Sequence, residues 1–508
     1  MSASAGPRLA LIELLLQERW RHFRNELFPF VQGHCRALGV PARRLRVVVS
    51  PGDVGPGSAY QLPPADRASL VAAFCDLAPT HLVLTERLAP ATAAALSEAA
   101  PGAAWLKLGE LEPSDPTPLD RPGALARWLG VPWSTPGPDP LLVDAAEPLY
   151  EIAPVHDLAR RERVLVNVVS GPECHYARRV ARVACFADLP LDARSRAYGC
   201  TFCGAREIEL PRPATPLLDL ALAQIVRAAA TPDPHGLLRA FLVPGAFVAD
   251  RLPELLARLV QAGLPPVEVH VICRIDQLLA AAAGLEGGLP AFAGAGHRLR
   301  LGPMGVENFS SAENERFNKG VTAEQAVAAH ELLARLGRAW PDAIASSSSN
   351  TFGLILFTPW TTLDDLRTNL AWAPRAGIDP ANEIFLATRL RLRPYEPITL
   401  LAERAGLLAP GEGRGQFGHA RLRERDELPW RYAHPEVGLA EQVLSRFPSL
   451  GGEGPDDELY TEVQRWMAEL ARRPERVYAA ANAVLDEVAA DPGAEAPAVV
   501  RRARGRCV

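Results

Sequence analysis

From about residue 163 onward, short apolar runs rich in Val, Leu and Ile alternate with longer stretches whose apolar residues recur every three or four positions. That alternation limits the fold more than any other feature of the chain. The strand-like runs fall at 164–169, 239–243, 267–273, 298–302, 352–357 and 383–392, and the helical ones at 215–230, 252–262, 276–284, 322–338 and 362–373. Strands that take turns with helices pair in parallel, because each connection must cross back over the sheet. Six βα units predict an open, partial barrel. A closed eight-unit barrel is the competing architecture and needs about 250 residues.

With 508 residues the chain exceeds one ordinary core, so further domains are expected. Residues 9–38 read as an amphipathic helix through Ile12, Leu15, Leu16, Trp20, Phe23 and Leu27. Strands at 45–50, 81–85 and 104–108 and helices at 66–76 and 89–99 predict a small parallel α/β domain, flavodoxin-like, over residues 1–111. Its first loop, Gly52 to Gly57, is glycine-rich but matches no phosphate or dinucleotide fingerprint, and reads as a connection. Many prolines mark 112–160 as a linker running over the surface, with one short helix near 124–129. The partial barrel then occupies 161–400. A mostly helical region, with helices at 458–472 and 476–490, fills 401–508 and ends in the basic run Arg501 to Arg506, read as a solvated, unstructured end.

The net charge of −5 and pI near 6.2 argue against a nucleic-acid binder, which would carry a basic surface. Eight cysteines without regular spacing do not make a disulfide framework. No apolar run reaches the roughly 20 residues of a membrane span. Glu13 interrupts the apolar start, and no small-residue cleavage site follows it. A protein of the reducing cytoplasm is expected.

Gly199-Cys200-Thr201-Phe202-Cys203-Gly204 carries the clearest chemistry. Two thiols separated by two residues, flanked by glycines, can aim at one centre. Alone, the motif could hold zinc, hold an iron–sulfur cluster or act as a redox dithiol. Its setting in a βα repeat, at the first unit, resembles the cluster loop of the radical S-adenosylmethionine superfamily. There three cysteines in a C-x-x-x-C-x-x-C pattern bind three irons of a four-iron four-sulfur cluster, and S-adenosylmethionine chelates the fourth. Cys200 and Cys203 match the last two cysteines. Arg196 stands at the first, so the resemblance points to Cys174 or Cys185 as a third ligand from upstream.

Other segments carry the same resemblance. Gly305 to Ser310 followed by Asn314 to Thr322 is similar to the fourth-strand segment of members with an N-terminal cobalamin-binding-like domain. There Glu307 would face the cofactor, where a carboxylate can accept hydrogen bonds from a ribose or an ammonium. Ion pairing with a neighbouring Arg or Lys is the alternative for that carboxylate. Leu354 to Leu366 resembles the strand, loop and helix beside the adenine, which implies nucleoside contacts from Thr358 and Pro359. Thr361 or Thr362 would cap the helix that follows, and Trp360 would pack. Arg274 and Asp276 end another strand, where the resemblance implies contact with the cofactor's carboxylate or ribose. A mutual salt bridge is the alternative there.

Two departures qualify the likeness. The family's glycine-glycine-glutamate contact has no match near Val243-Pro244-Gly245, and the N-terminal domain lacks an aspartate-x-histidine-x-x-glycine cobalt motif. The resemblance implies a four-iron four-sulfur cluster, S-adenosylmethionine and an electron donor such as ferredoxin or flavodoxin. Cobalamin is a further possible cofactor, with methyl transfer to carbon as its consequence. A second reading stays open: a chain with this fold but no cluster, acting as a binding or partner protein with Cys200 and Cys203 idle or holding zinc. The glycine-rich 411–419 segment reads as a loop over the barrel mouth.

Overall fold

The computed structural model describes residues 6–16, 31, 35, 38–49, 62, 64–84, 89–107, 122–132, 150–151, 163–168, 176, 178–191, 198–203, 217–230, 238–244, 251–344, 352–378, 385–393, 396–409, 428–447, 458–470 and 476–507. Cys174, Arg196 and the glycine-rich segments at 52–57 and 411–419 lie outside the described residues.

The N-terminal part contains β1 (Leu9–Leu16), β2 (Ala42–Val49), α1 (Pro64–Leu77), β3 (His81–Leu84), α2 (Pro90–Ala99), β4 (Ala104–Lys107), α3 (Pro122–Trp128) and β5 (Tyr150–Glu151). Its five strands form one parallel sheet in the order β4-β3-β1-β2-β5. The helix expected over 9–38 is therefore corrected at its start, where the chain is the central strand. The reason lies in how the run is buried. Ala10 and Ile12 pack with Leu70 and Phe74 of α1, while Leu9 and Leu11 pack on the other face with Leu125 and Leu129, in and just beyond α3. Over residues 9–12 both faces of the strand are covered and every position is apolar, so the run has no period that separates it from a buried helix. The stretch read as a linker supplies α3 to that second face and β5 to the sheet edge.

The next part begins with β6 (Arg163–Asn167), then α4 (Leu217–Ala230), β7 (Leu238–Pro244), α5 (Leu252–Gln261), β8 (Val267–Ile272) and α6 (Ile275–Gly294). It continues with β9 (Arg298–Leu301), β10 (Met304–Glu307), α7 (Ser311–Arg316), α8 (Ala323–Ala339), β11 (Phe352–Leu354) and α9 (Leu363–Trp372). Strands β6, β7, β8 and β9 make a four-stranded parallel sheet, and β10 pairs in parallel with β11. The chain passes straight from β9 to β10 through Gly302 and Pro303, so the second pair continues the progress of the first sheet. The fold is α/β with parallel sheets and many helices.

Two boundaries differ from expectation. Helix α6 runs ten residues beyond 284, to Gly294. A Cβ at Gly284 would lie 2.6 Å from the Pro253 ring, so this glycine serves close packing against α5 rather than a helix stop. The strand expected at 383–392 is instead a short 3-10 turn, Phe385–Ala387, followed by single bridges from Arg389 to Phe357 and from Leu392 to Leu428. The alternating Leu390 and Leu392 are buried, but the segments beside them are loops that offer only single points of pairing.

Helices α10 (Pro397–Arg404), α11 (Pro435–Leu444), α12 (Glu458–Leu470), α13 (Val477–Ala490) and α14 (Ala496–Cys507) complete the chain. The basic run expected to be an unstructured end lies within α14 and makes up half of it. Val499, Val500 and Ala503 recur at helical spacing and are fully buried. The arginines between them point outward and pair. Arg502 and Arg506 each reach Glu487 of α13 at 2.7 Å, and Arg501 reaches Glu458 at 2.7 Å. Among the described residues, no helix is long and apolar enough to cross a membrane.

Candidate metal centre

The Cys200–Cys203 loop is fastened to a turn more than a hundred residues later. Strand β10 ends at Glu307 with a left-handed φ of 66°, and α7 then leads to Phe317-Asn318-Lys319-Gly320. Asn318 takes φ 50°, a conformation that asparagine tolerates better than most residues. Thr322 closes the turn by capping α8, in a reciprocal pair with Gln325.

Across this turn the Thr201 amide donates to the Phe317 carbonyl at 3.1 Å, and its hydroxyl donates to the Arg316 carbonyl at 2.7 Å. The Asn318 side-chain amide donates to the carbonyls of Gly199 (2.7 Å) and Arg178 (3.0 Å). Phe202 meets Phe317 edge-on with ring centres 5.0 Å apart. On the other side the Thr201 carbonyl accepts from the Ile398 amide at the start of α10, at 3.3 Å. Thr201, between the two cysteines, is fully buried, so the loop is held at its middle while the thiols stand on either side.

Two cations face Cys200. Arg274, the N-cap residue of α6 two positions beyond β8, brings Nη1 to 3.9 Å from the Cys200 sulfur. Its remaining donors are fixed by Asp276 (Nε to Oδ1, 3.0 Å) and by the Lys319 carbonyl (2.7 Å), and its plane lies 3.7 Å from the centre of the Tyr176 ring. Lys319 is buried, and its Nζ donates to Glu307 Oε1 at 2.7 Å. Burial pushes the Cys200 thiol up to about 11, against the pull of Lys319 and Arg274 and with lesser pushes from Cys203 and Glu307. Without a bound metal this sulfur keeps its proton at neutral pH. A soft metal that replaces the proton leaves a thiolate beside two positive charges, which offset it. Two thiols on one tight turn with that compensation fit zinc or an iron–sulfur cluster.

The sequence-derived residues take definite places. Cys200, Cys203, Glu307, Arg274 and Asp276 belong to this one region. Glu307 is paired with Lys319, and Arg274 with Asp276, so the internal ion pairs are present at both positions. Cys185 lies apart, half-buried among Val180, Val183, Phe186 and Leu401, with its carbonyl accepting from Arg404 at 2.7 Å. Burial pushes its thiol up. Among the described residues, no three His, Cys, Asp or Glu side chains converge to hold a metal ion, so Cys185 does not join Cys200 and Cys203.

Thr358 and Pro359 do internal work. The buried Thr358 hydroxyl donates to Glu313 Oε2 at 3.0 Å, and the Pro359 carbonyl accepts from the Ala433 amide at 2.8 Å. Glu313 also pairs with Arg316, whose guanidinium lies over Trp360. Its carboxyl is raised to about 7, by burial first, then by Asp365, against Arg316 and the Thr358 hydroxyl. Thr362 caps α9 through the Asp365 amide, as expected from its position.

Asn318 and Lys319 act at the cysteine loop, a role that no motif assigns to them in the sequence. The signal for Asn318 was its place before Lys-Gly in a turn that needs a left-handed residue. Nothing local in the sequence distinguishes Lys319 as the partner of a carboxylate twelve residues earlier.

No protein-family model matches the chain, and no curated protein matches it in sequence. Among solved structures, its fold is similar to that of the apo, selenomethionine-labelled cobalamin-dependent S-adenosylmethionine radical enzyme OxsB. The match has a TM-score of 0.53 at 13% identity and covers 97% of this chain and 74% of that one. At that identity the likeness is one of fold.

Proposed function

We propose that this chain is a radical S-adenosylmethionine enzyme, with Cys200 and Cys203 as two ligands of a four-iron four-sulfur cluster. The observation that carries the reading is the fastening of the Cys-Thr-Phe-Cys loop by Asn318 and Thr201 to the turn after α7, with the buried Arg274 guanidinium 3.9 Å from the sulfur of Cys200. The fold likeness to a cobalamin-dependent member of that class supports it. Cys174, upstream of the described segment, is the remaining candidate for a third ligand.

When bound, such a cluster with S-adenosylmethionine supplies a one-electron cleavage that yields a 5′-deoxyadenosyl radical. The residues of this chain hold and shield that chemistry. Thr201 and Asn318 fix the loop, Arg274 and Lys319 offset thiolate charge, and Phe202 with Phe317 closes one side against water. Asp276, whose side chain is 39% exposed, is the carboxylate placed to accept from an ammonium or ribose of the cofactor. Ferredoxin or flavodoxin would supply the electron. A parallel N-terminal sheet suits cobalamin, because such sheets bind ligands at the carboxyl ends of their strands, and methyl transfer is the reaction class that this would add.

Anaerobic reconstitution with iron and sulfide tests the proposal. About four irons per chain, a brown protein and reductive cleavage of S-adenosylmethionine are the expected results. Replacement of Cys174 by serine should lower the iron content, and Cys185→Ser should not. A second reading rests on the lack of a third ligand among the described residues: a binding protein with zinc, or nothing, at the cysteine pair. Bound zinc with no iron uptake would establish it.

A further inference from the structure

We propose that Arg274 and the buried Lys319–Glu307 pair set the reduction potential of the centre held at Cys200, the two cations raising it and the carboxylate lowering it. This rests on the iron–sulfur reading above.

The argument begins with cost. Burying an ammonium and a carboxylate together gains little over an apolar pair of the same size, because both lose their hydration. Here the pair is also given room. A Cβ on Gly305 would overlap the Glu307 carboxylate and lie 2.6 Å from Lys319 Nζ, so the strand carries a glycine where the pair sits. Glu307 itself holds a left-handed φ at that point, an uncommon state for this residue. Fold stability alone does not call for such an arrangement.

Position supplies the reason. Arg274 brings Nη1 to 3.9 Å from the Cys200 sulfur and donates to the Lys319 carbonyl at 2.7 Å, and Lys319 Nζ donates to Glu307 Oε1 at 2.7 Å, so the ion pair is tied to the arginine that faces the sulfur. Reduction adds one negative charge to a thiolate-bound cluster. A cation in a poorly solvated surrounding stabilises the reduced form and moves the potential upward, and an anion does the opposite. The Arg274 N–H aimed at sulfur acts in the same direction as the ammonium. Because Arg274 also donates to the Lys319 carbonyl, the two cations keep a fixed relation to each other.

The test is a potentiometric titration of the reconstituted protein, following the electron paramagnetic resonance signal of the reduced cluster, with dithionite as reductant. Lys319→Met and Arg274→Gln should shift the midpoint potential negative, and Glu307→Gln should shift it positive. Lys319→Arg, which keeps the charge, should restore the wild-type value. Opposite signs at Lys319 and Glu307 are the signature, since a merely structural disturbance would move both variants the same way. Unchanged potentials, or shifts of one sign, in protein that retains its iron would overturn the inference alone. If Lys319→Met loses iron, the near-isosteric Glu307→Gln must still shift positive, and a zero or negative shift there refutes it. Wild-type protein that takes up no iron would sink the iron–sulfur reading, and this inference with it.

Discussion

The side-chain amide of Asn318 lies 2.7 Å from the carbonyl oxygen of Gly199 and donates to it across 119 residues of chain. The same amide reaches the Arg178 carbonyl at 3.0 Å, so one residue ties two segments of the cysteine region to the turn after α7. Replacing Asn318 with Ala removes both bonds and should cost about 1–3 kcal/mol, concentrated at the loop. Hydrogen exchange over residues 198–203 should accelerate much more than exchange in β7 and β8. Unaltered protection of the loop would show that Thr201 holds it alone.

Gly305 makes a second test. A methyl group there overlaps the Glu307 carboxylate and crowds the Lys319 ammonium, both already buried. Gly305→Ala should destabilise the protein by about 1–3 kcal/mol through overpacking. Thermal unfolding would register it as a lowered Tm, and an unchanged Tm would mean that the pair has room to move aside.

Glu313 gives a pH dependence with a definite sign. Its carboxyl ordinarily loses its proton near 4.5 and in the folded chain keeps it up to about 7. Between those values the folded state binds more protons than the unfolded one, so stability falls as pH rises through that window. The full effect is on the order of 3 kcal/mol and is complete above about pH 7. Urea midpoints measured from pH 4.5 to 8 should show this decline in the wild type and a flatter profile in Glu313→Gln. Parallel profiles for the two proteins would remove Glu313 as the source.

The cysteines should differ in reactivity when no metal is bound. Burial raises Cys200 to about 11 and Cys273 to about 12, whereas Cys75 is exposed. Iodoacetamide at pH 7.5 should therefore label Cys75 first and leave Cys200 and Cys273 largely unmodified, because the thiolate is the reactive species. Peptide mapping reads the order directly, and early labelling of Cys200 would contradict its placement.

Helix α14 is held by apolar contact, with ion pairs at its rim. Val500 is fully buried, so Val500→Asp places an unpaired carboxylate in the core and should cost about 3 kcal/mol or more. Arg501→Ala should cost under about 1 kcal/mol, since its pair with Glu458 is exposed. Comparable losses from the two variants would mean that the charges, not the valines, seat the helix.

Much of the parallel α/β pattern was legible because β7 is a largely apolar run and β8 and β9 alternate apolar with polar residues, all set between helical stretches. β1 was not, since its apolar residues serve two faces and leave no period to read. The segment at 383–392 misled in the opposite way. Its Leu390 and Leu392 alternate like a strand, but a strand also needs a continuous neighbour, which sequence does not reveal. At the site, Cys200 and Cys203 announced themselves by spacing, Glu307 by closing a strand, and Arg274 and Asp276 by standing where β8 gives way to α6. Lys319 stayed hidden because its meaning depends on a turn that folds it back over β10. Thr358 stood out only through the resemblance, in the loop between β11 and α9, and its direction, inward to Glu313, was not legible.

The central place of β1 bears on how the polypeptide must assemble as it is made. Its first partner, β2, is complete only at Val49, and its second, β3, only at Leu84. Until then β1 is an apolar ribbon with both hydrogen-bonding edges bare, a form that readily sticks to other chains. Successful biogenesis should therefore depend on shielding of β1 until its later partners are made, and low temperature or extra co-expressed chaperone should raise the soluble yield.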